Sequence, residues 1–141
     1  MKYVVDCSAA FKWYVSEPES AKALRLRDDA RAGVHELIAP DHFPIEVANA
    51  LLLAERRGRI APGDFQLHLA DLLAELPGLV TAPPLLVRAG EIALARRSSR
   101  YDCLYVALAE RENCEFVTAD AQMVRDLRPH FPFIVPLISL P

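Results

Sequence analysis

The stretch Tyr101-Asp102-Cys103-Leu104-Tyr105-Val106-Ala107-Leu108-Ala109-Glu110-Arg111-Glu112-Asn113-Cys114-Glu115-Phe116-Val117-Thr118-Ala119-Asp120 decides the fold. Its first half sets Leu104, Ala107, Leu108 and Arg111 at helical spacing with no breaker, and Glu115 to Thr118 is a short β-prone run followed closely by an acid. The pattern predicts helix, tight link, strand. Asp102 then falls in the first helical turn and Asp120 just past the carboxyl end of the strand, the rim where open α/β sheets hold ligands. Each acid also has a plain structural reading. An acid in a first turn complements the helix dipole, and an acid after a strand caps the next helix. Chemistry is implied only if more acids converge on the same rim.

Toward the amino terminus, residues 2–5 form a short apolar run that ends in Asp6. A strand this early in an alternating pattern is expected to be central and buried. Ser8 is placed to cap a helix over residues 9–16, Glu17-Pro18-Glu19 breaks it, and a second helix to about residue 32 has Ala21, Leu24 and Ala32 among its inward candidates. Leu37-Ile38-Ala39 is the next strand. The segment from His42 to Gly58 follows, with Pro44 at an early helical position, Gly58 at the helix end and an apolar surface over most of the circumference between them. Glu46 shares a face with Asn49, Ala50 and Leu53. Unless it simply points to water, a carboxylate there needs a cation or a donor beside it.

Helices over residues 62–76 and 84–97 read as scaffold, with a doubtful short strand at residues 79–81 between them. After Asp120 come a short helix, residues 121–127, and an apolar run, residues 133–135, between Pro132 and Pro136, which suits an edge strand. The alternation of strands and helices predicts a three-layer α/β/α sandwich around a mostly parallel sheet, built as one domain over residues 1–141.

Composition bounds the function. The chain has 141 residues, 52% hydrophobic and 25% charged, and a net charge of -3, which argues against holding nucleic acid by bulk electrostatics alone. Met1-Lys2-Tyr3 leads directly into the first strand, and no apolar run approaches the roughly 20 residues of a bilayer crossing, so a soluble cytoplasmic protein with no membrane role is expected. Cys7, Cys103 and Cys114 form no Cys-x-x-Cys pair and read as packed apolar residues. His35, His42, His68 and His130 are scattered and read as structural or solvated. Arg56, Arg57, Arg96, Arg97 and Arg100 offer a basic rim for RNA, although arginines at helix ends also serve the dipole.

On the expected architecture four acids share one edge: Asp6 and Asp120 after strands, Asp102 and Glu46 near helix starts. Carboxylates crowded this way repel unless something positive lies between them. A hard divalent cation answers that need. An all-oxygen set without His or Cys favours Mg²⁺ or Mn²⁺ over zinc, with room for one or two ions. Such an ion orients a water and stabilises charge on a phosphodiester, so phosphodiester hydrolysis is the chemistry implied. The glycines at 33, 58, 63, 78 and 90 make no phosphate loop or nucleotide fingerprint.

Val4-Val5-Asp6-Cys7-Ser8-Ala9, the segment from Pro40 to Ile45-Glu46-Val47-Ala48-Asn49-Ala50-Leu51, Tyr101-Asp102-Cys103-Leu104-Tyr105-Val106-Ala107-Leu108-Ala109-Glu110 and Phe116-Val117-Thr118-Ala119-Asp120 together resemble the PIN domain. The likeness is to its VapC-type toxins of bacterial and archaeal toxin–antitoxin systems. It runs over essentially the whole chain. It implies a Mg²⁺- or Mn²⁺-dependent endoribonuclease held inactive by a VapB-type antitoxin, commonly a homodimer. The acids matching Asp6, Glu46, Asp102 and Asp120 form the family's metal site, and hydroxyls matching Ser8 and Thr118 support it; Asn49 is a further candidate for that supporting role. Cys103 stands where the family usually has Ala, and no further acid directly follows Asp120 as it does in some relatives. A PIN-like ribonuclease with a non-toxin RNA-processing role, or a non-catalytic metal- or RNA-binding module, are the alternatives. A receiver-like domain would need paired acids after the first strand and a late lysine, and Lys2, Lys12 and Lys22 all lie early.

Overall fold

The computed structural model describes residues 1–98 and 100–141; Ser99 and the side chain of Arg100 lie outside the described residues. Strands β1 (Lys2–Val5), β2 (Glu36–Pro40), β3 (Gly78–Val80), β4 (Glu115–Thr118) and β5 (Ile134–Pro136) form one sheet in the order β3-β2-β1-β4-β5. Every pairing is parallel, with Val4 opposite Ile38 on one side and Phe116 on the other. The first strand is therefore the centre of the sheet, and Val4 and Val5 are fully buried. The chain leaves β1 toward β2 and β3, then returns across the sheet to β4. That reversal opens a crevice at the carboxyl ends of β1 and β4, the general ligand position of such sheets.

Around the sheet lie α1 (Cys7–Phe11), α2 (Ser20–Arg31), α3 (Phe43–Arg56), α4 (Asp64–Ala74), α5 (Leu86–Arg96), α6 (Arg100–Glu112) and α7 (Ala121–Leu127), completing a three-layer α/β/α sandwich. Helix α6 is the core helix: residues 103–109 are all buried, so it is apolar around its whole circumference between α5 and the strands β1, β2 and β4. The helix read at residues 44–58 is α3, whose buried stripe is Phe43, Val47, Leu51 and Ala54; Gly58, at φ 71°, takes the left-handed backbone that stops it. No helix among the described residues is long and apolar enough to cross a membrane.

Some local expectations are corrected. The first helix ends at Phe11 and continues only as turns, and its cap is Asp6, whose side chain accepts from the Ala9 amide. Ser8 does not cap because its hydroxyl is drawn to Asp6 itself. In α2 the inward residues are Ala23 and Leu26, while Ala21 and Ala32 are exposed. The helix starts only at Ser20, after a left-handed Glu19, and this sets the inward stripe. The doubtful strand is real but is Gly78–Val80, at the sheet edge beside β2. A short 3₁₀ turn, Pro83–Leu85, precedes α5.

Candidate metal centre

The carboxyl ends of β1 and β4 are tied together by side chains. Asp6 is only 4% exposed; its Oδ1 accepts from the Ser8 hydroxyl at 2.7 Å and the Ala9 amide at 3.1 Å, and its Oδ2 from the Thr118 hydroxyl at 2.6 Å. The Ala119 amide donates to Ser8 Oγ at 2.9 Å and the Asp120 amide to Thr118 Oγ1 at 3.1 Å. Two hydroxyls thus latch the two central strands at the switch point. Burial outweighs these donors: the Asp6 carboxyl is pushed up to about 6, first by burial, against the opposing pull of Thr118, Ser8 and Ala9, with the Asp102 charge adding to the rise.

Asp120 caps α7, its Oδ1 accepting from the Gln122 amide at 3.0 Å and the Met123 amide at 3.1 Å. The plain reading of this acid holds, yet its Oδ2 has no partner among the described residues. Asp102 is half-buried in the first turn of α6 and makes no hydrogen bond or ion pair among the described residues. Burial, then the charges of Asp120 and Glu46, push its carboxyl up to about 6. Glu46, in the first turn of α3, does not simply point to water. The buried Tyr105 hydroxyl donates to its Oε1 at 2.7 Å, and His42 Nε2 lies 2.7 Å from the same oxygen.

Asp6, Glu46, Asp102 and Asp120 all line one open cavity of about 390 Å³. The cationic side chain lining it is Lys12, which is already engaged by Glu17 at 3.4 Å, Glu19 at 3.6 Å and the Pro18 carbonyl at 2.8 Å. No arginine or lysine among the described residues pairs with any of the four acids. Nor do any three acids, histidines or cysteines among the described residues form a compact cage by themselves.

The other candidates divide. Ser8 and Thr118 form the latch, whereas Asn49 is exposed on α3 and makes no hydrogen bond to the acids among the described residues. It lies outside the stripe that α3 buries. Arg56, Arg57, Arg96 and Arg97 are exposed and do not line the cavity, and the Arg100 side chain lies outside the described residues. Arg56 follows Glu46 by ten residues, about 15 Å along the helix. His35 bonds the Leu26 carbonyl and His68 packs on Tyr14, as structural histidines, but His42 is a correction, because it reaches Glu46. Its i,i+4 spacing was the available signal. Tyr105 was also missed as a partner of Glu46; only the fold brings them together. Cys7 lines the cavity with its thiol pushed up to about 12 by burial and by Asp6 and Glu46, so it stays protonated and inert; Cys103 is buried and unpaired.

An all-parallel 3-2-1-4-5 sheet with a carboxylate-lined crevice at its switch point defines the class, an α/β sandwich of the PIN type. The chain belongs to the PIN domain family, which its residues 3–126 match. Ribonuclease VapC3 of Pyrobaculum aerophilum is 34% identical over 137 residues, 96% of this chain and 98% of that protein, which sets the chain beside the VapC-type members. The crystal structure of PAE2754 from Pyrobaculum aerophilum superposes with a TM-score of 0.71 at 23% identity, over 99% of this chain and 94% of that one, and supports the fold.

The crowding has a signature in stability. Folding raises the Asp102 carboxyl to about 6, so the folded state holds its proton more tightly than the unfolded chain does. Its favourable contribution is present below about pH 4 and is lost as pH rises through about 6. Without divalent cations, Asp102→Asn is expected to be more stable than wild type above pH 6.5, by about 1 kcal/mol after discounting for partial exposure to water, with the difference vanishing near pH 4. Urea unfolding across that range checks it; a variant less stable than wild type at high pH contradicts it.

Proposed function

We propose that this protein is a Mg²⁺- or Mn²⁺-dependent endoribonuclease, the toxin of a VapBC-type toxin–antitoxin pair. One observation supports it above the rest: four carboxylates from β1, α3, α6 and the end of β4 line one cavity, and no arginine or lysine among the described residues pairs with any of them. The donor set fits a hard ion. All four groups offer oxygen, and Asp102, Glu46 Oε2 and Asp120 Oδ2 have no other partner among the described residues, a donor chemistry that suits a hard ion such as Mg²⁺. Asp6, Glu46, Asp102 and Asp120 would hold it.

The bound ion would supply a positioned water and offset charge developing on the phosphodiester. The chain does the rest. The Ser8–Thr118 latch fixes Asp6 at the meeting point of β1 and β4, and the α7 cap fixes Asp120. Lys12 is the cationic side chain that lines the cavity. RNA is the substrate on the strength of the likeness to Ribonuclease VapC3. The same likeness supports a VapB-type antitoxin partner; a homodimer in a cytoplasmic setting is part of the proposal.

Asp6→Asn is expected to keep the fold and lose at least 100-fold of Mg²⁺- or Mn²⁺-dependent RNA cleavage. Wild type, but not Asp6→Asn, is expected to arrest growth when induced, with relief by the small protein of an abutting reading frame. Equal cleavage by both forms, or cleavage indifferent to EDTA, overturns the nuclease; cleavage without arrest or relief overturns the toxin role alone.

The exposed Arg56, Arg57, Arg96 and Arg97 are proposed to meet RNA phosphates beyond the cavity. Reversing these charges to Glu in the Asp6→Asn background is expected to weaken RNA binding and flatten its dependence on salt. Unchanged affinity and slope would place the RNA elsewhere.

A further inference from the structure

The acid on α3 differs from the others in how it is held. Glu46, on α3, is gripped by a group from another helix: the Tyr105 hydroxyl of α6 donates to Oε1 at 2.7 Å. Tyr105 is 1% exposed, its ring stacked on Phe116 with centroids 5.7 Å apart and planes 13° apart. A ring so packed cannot follow a moving partner, so its hydroxyl is a fixed point. His42 adds a boundary on the same oxygen. Its ring sits 5.2 Å from Tyr105 and 5.4 Å from Tyr101, and its Nε2 is 2.7 Å from Oε1. That approach is not aligned as a hydrogen bond, since neither ring nitrogen has an aligned partner among the described residues. The directed bond to Glu46 is therefore the one from Tyr105.

We infer that Tyr105 is a positioning residue that fixes the rotamer of Glu46 by occupying Oε1, which leaves Oε2 as the oxygen offered to a divalent cation. The inference rests on the metal-site reading above. A free Glu side chain loses rotamer freedom on binding an ion, and a carboxylate already held by a buried hydroxyl has lost it on folding. Partners that orient a ligand in this way typically change metal affinity by 10–100-fold when removed. Tyr105 also lies one helical turn after Asp102, so α6 carries one acid of the set and the anchor of another.

The test is Mn²⁺ binding followed by calorimetry on wild type, Tyr105→Phe, Glu46→Gln and the double variant, with thermal unfolding recorded for each. Phe keeps the ring on Phe116, so the fold is retained. Tyr105→Phe is expected to weaken Mn²⁺ binding roughly 10-fold in the wild-type background and to have no further effect when Glu46 is Gln. Equal affinity of Tyr105→Phe and wild type overturns the positioning role while leaving the metal site standing. An equal loss in both backgrounds also overturns it, because the effect then does not pass through Glu46. No Mn²⁺ binding by wild type removes the metal site and the inference together.

Discussion

Repulsion among carboxylates at the centre of the sheet is the constraint on which the rest depends. Two like charges 4 Å apart near a protein surface repel by roughly 4 kcal/mol, and burial adds a desolvation cost to each. Here the fold accepts both. Asp6 is buried at the end of the central strand, and Asp102 is raised by burial and by the neighbouring Asp120 and Glu46. Nothing about the packing of α6 requires an acid at position 102, since the helix is held by the run of apolar residues that follows. The acids are tolerated by the scaffold rather than needed by it, apart from the capping oxygens of Asp6 and Asp120.

Those caps show how one residue serves structure and chemistry together. Asp120 gives one oxygen to the first amides of α7 and leaves the other. Asp6 caps α1 and at the same time anchors the Ser8–Thr118 latch, so it is fixed on all sides and cannot swing away from its neighbours. Glu46 reaches the same state by a different route, through a hydroxyl on another helix. Strand ends, helix caps and a buried tyrosine thus immobilise three acids, and the strand order 3-2-1-4-5 puts them at one crevice.

Much of this was legible in the sequence because it is carried by local signals. Strong periodicity in residues 101–118 and the Pro44 and Gly58 punctuation located α6, β4 and α3, and the alternation of elements implied the layered sandwich. What escaped depends on neighbours in space. Ser8 has the chemistry of a helix cap, but its hydroxyl donates to Asp6, which caps the helix in its place and is held from the other side by Thr118. Asn49 shares a helical face with Glu46 in projection, yet α3 buries the stripe of Phe43, Val47 and Leu51, which leaves Asn49 outside. Tyr105 reads as one more core aromatic until Glu46 is brought against it from 59 residues away. Lys12 carries no local signal in the sequence; only the fold brings it to the cavity edge, held by Glu17 and Glu19.

The most direct test of the central claim is anomalous diffraction at the manganese edge from crystals grown with Mn²⁺. The account predicts a peak within the cavity bounded by Asp6, Glu46, Asp102 and Asp120, with at least two of these carboxylates contributing oxygens to the ion. A crystal with the acids placed as described here and no manganese among them, or manganese bound only at another surface, would contradict it.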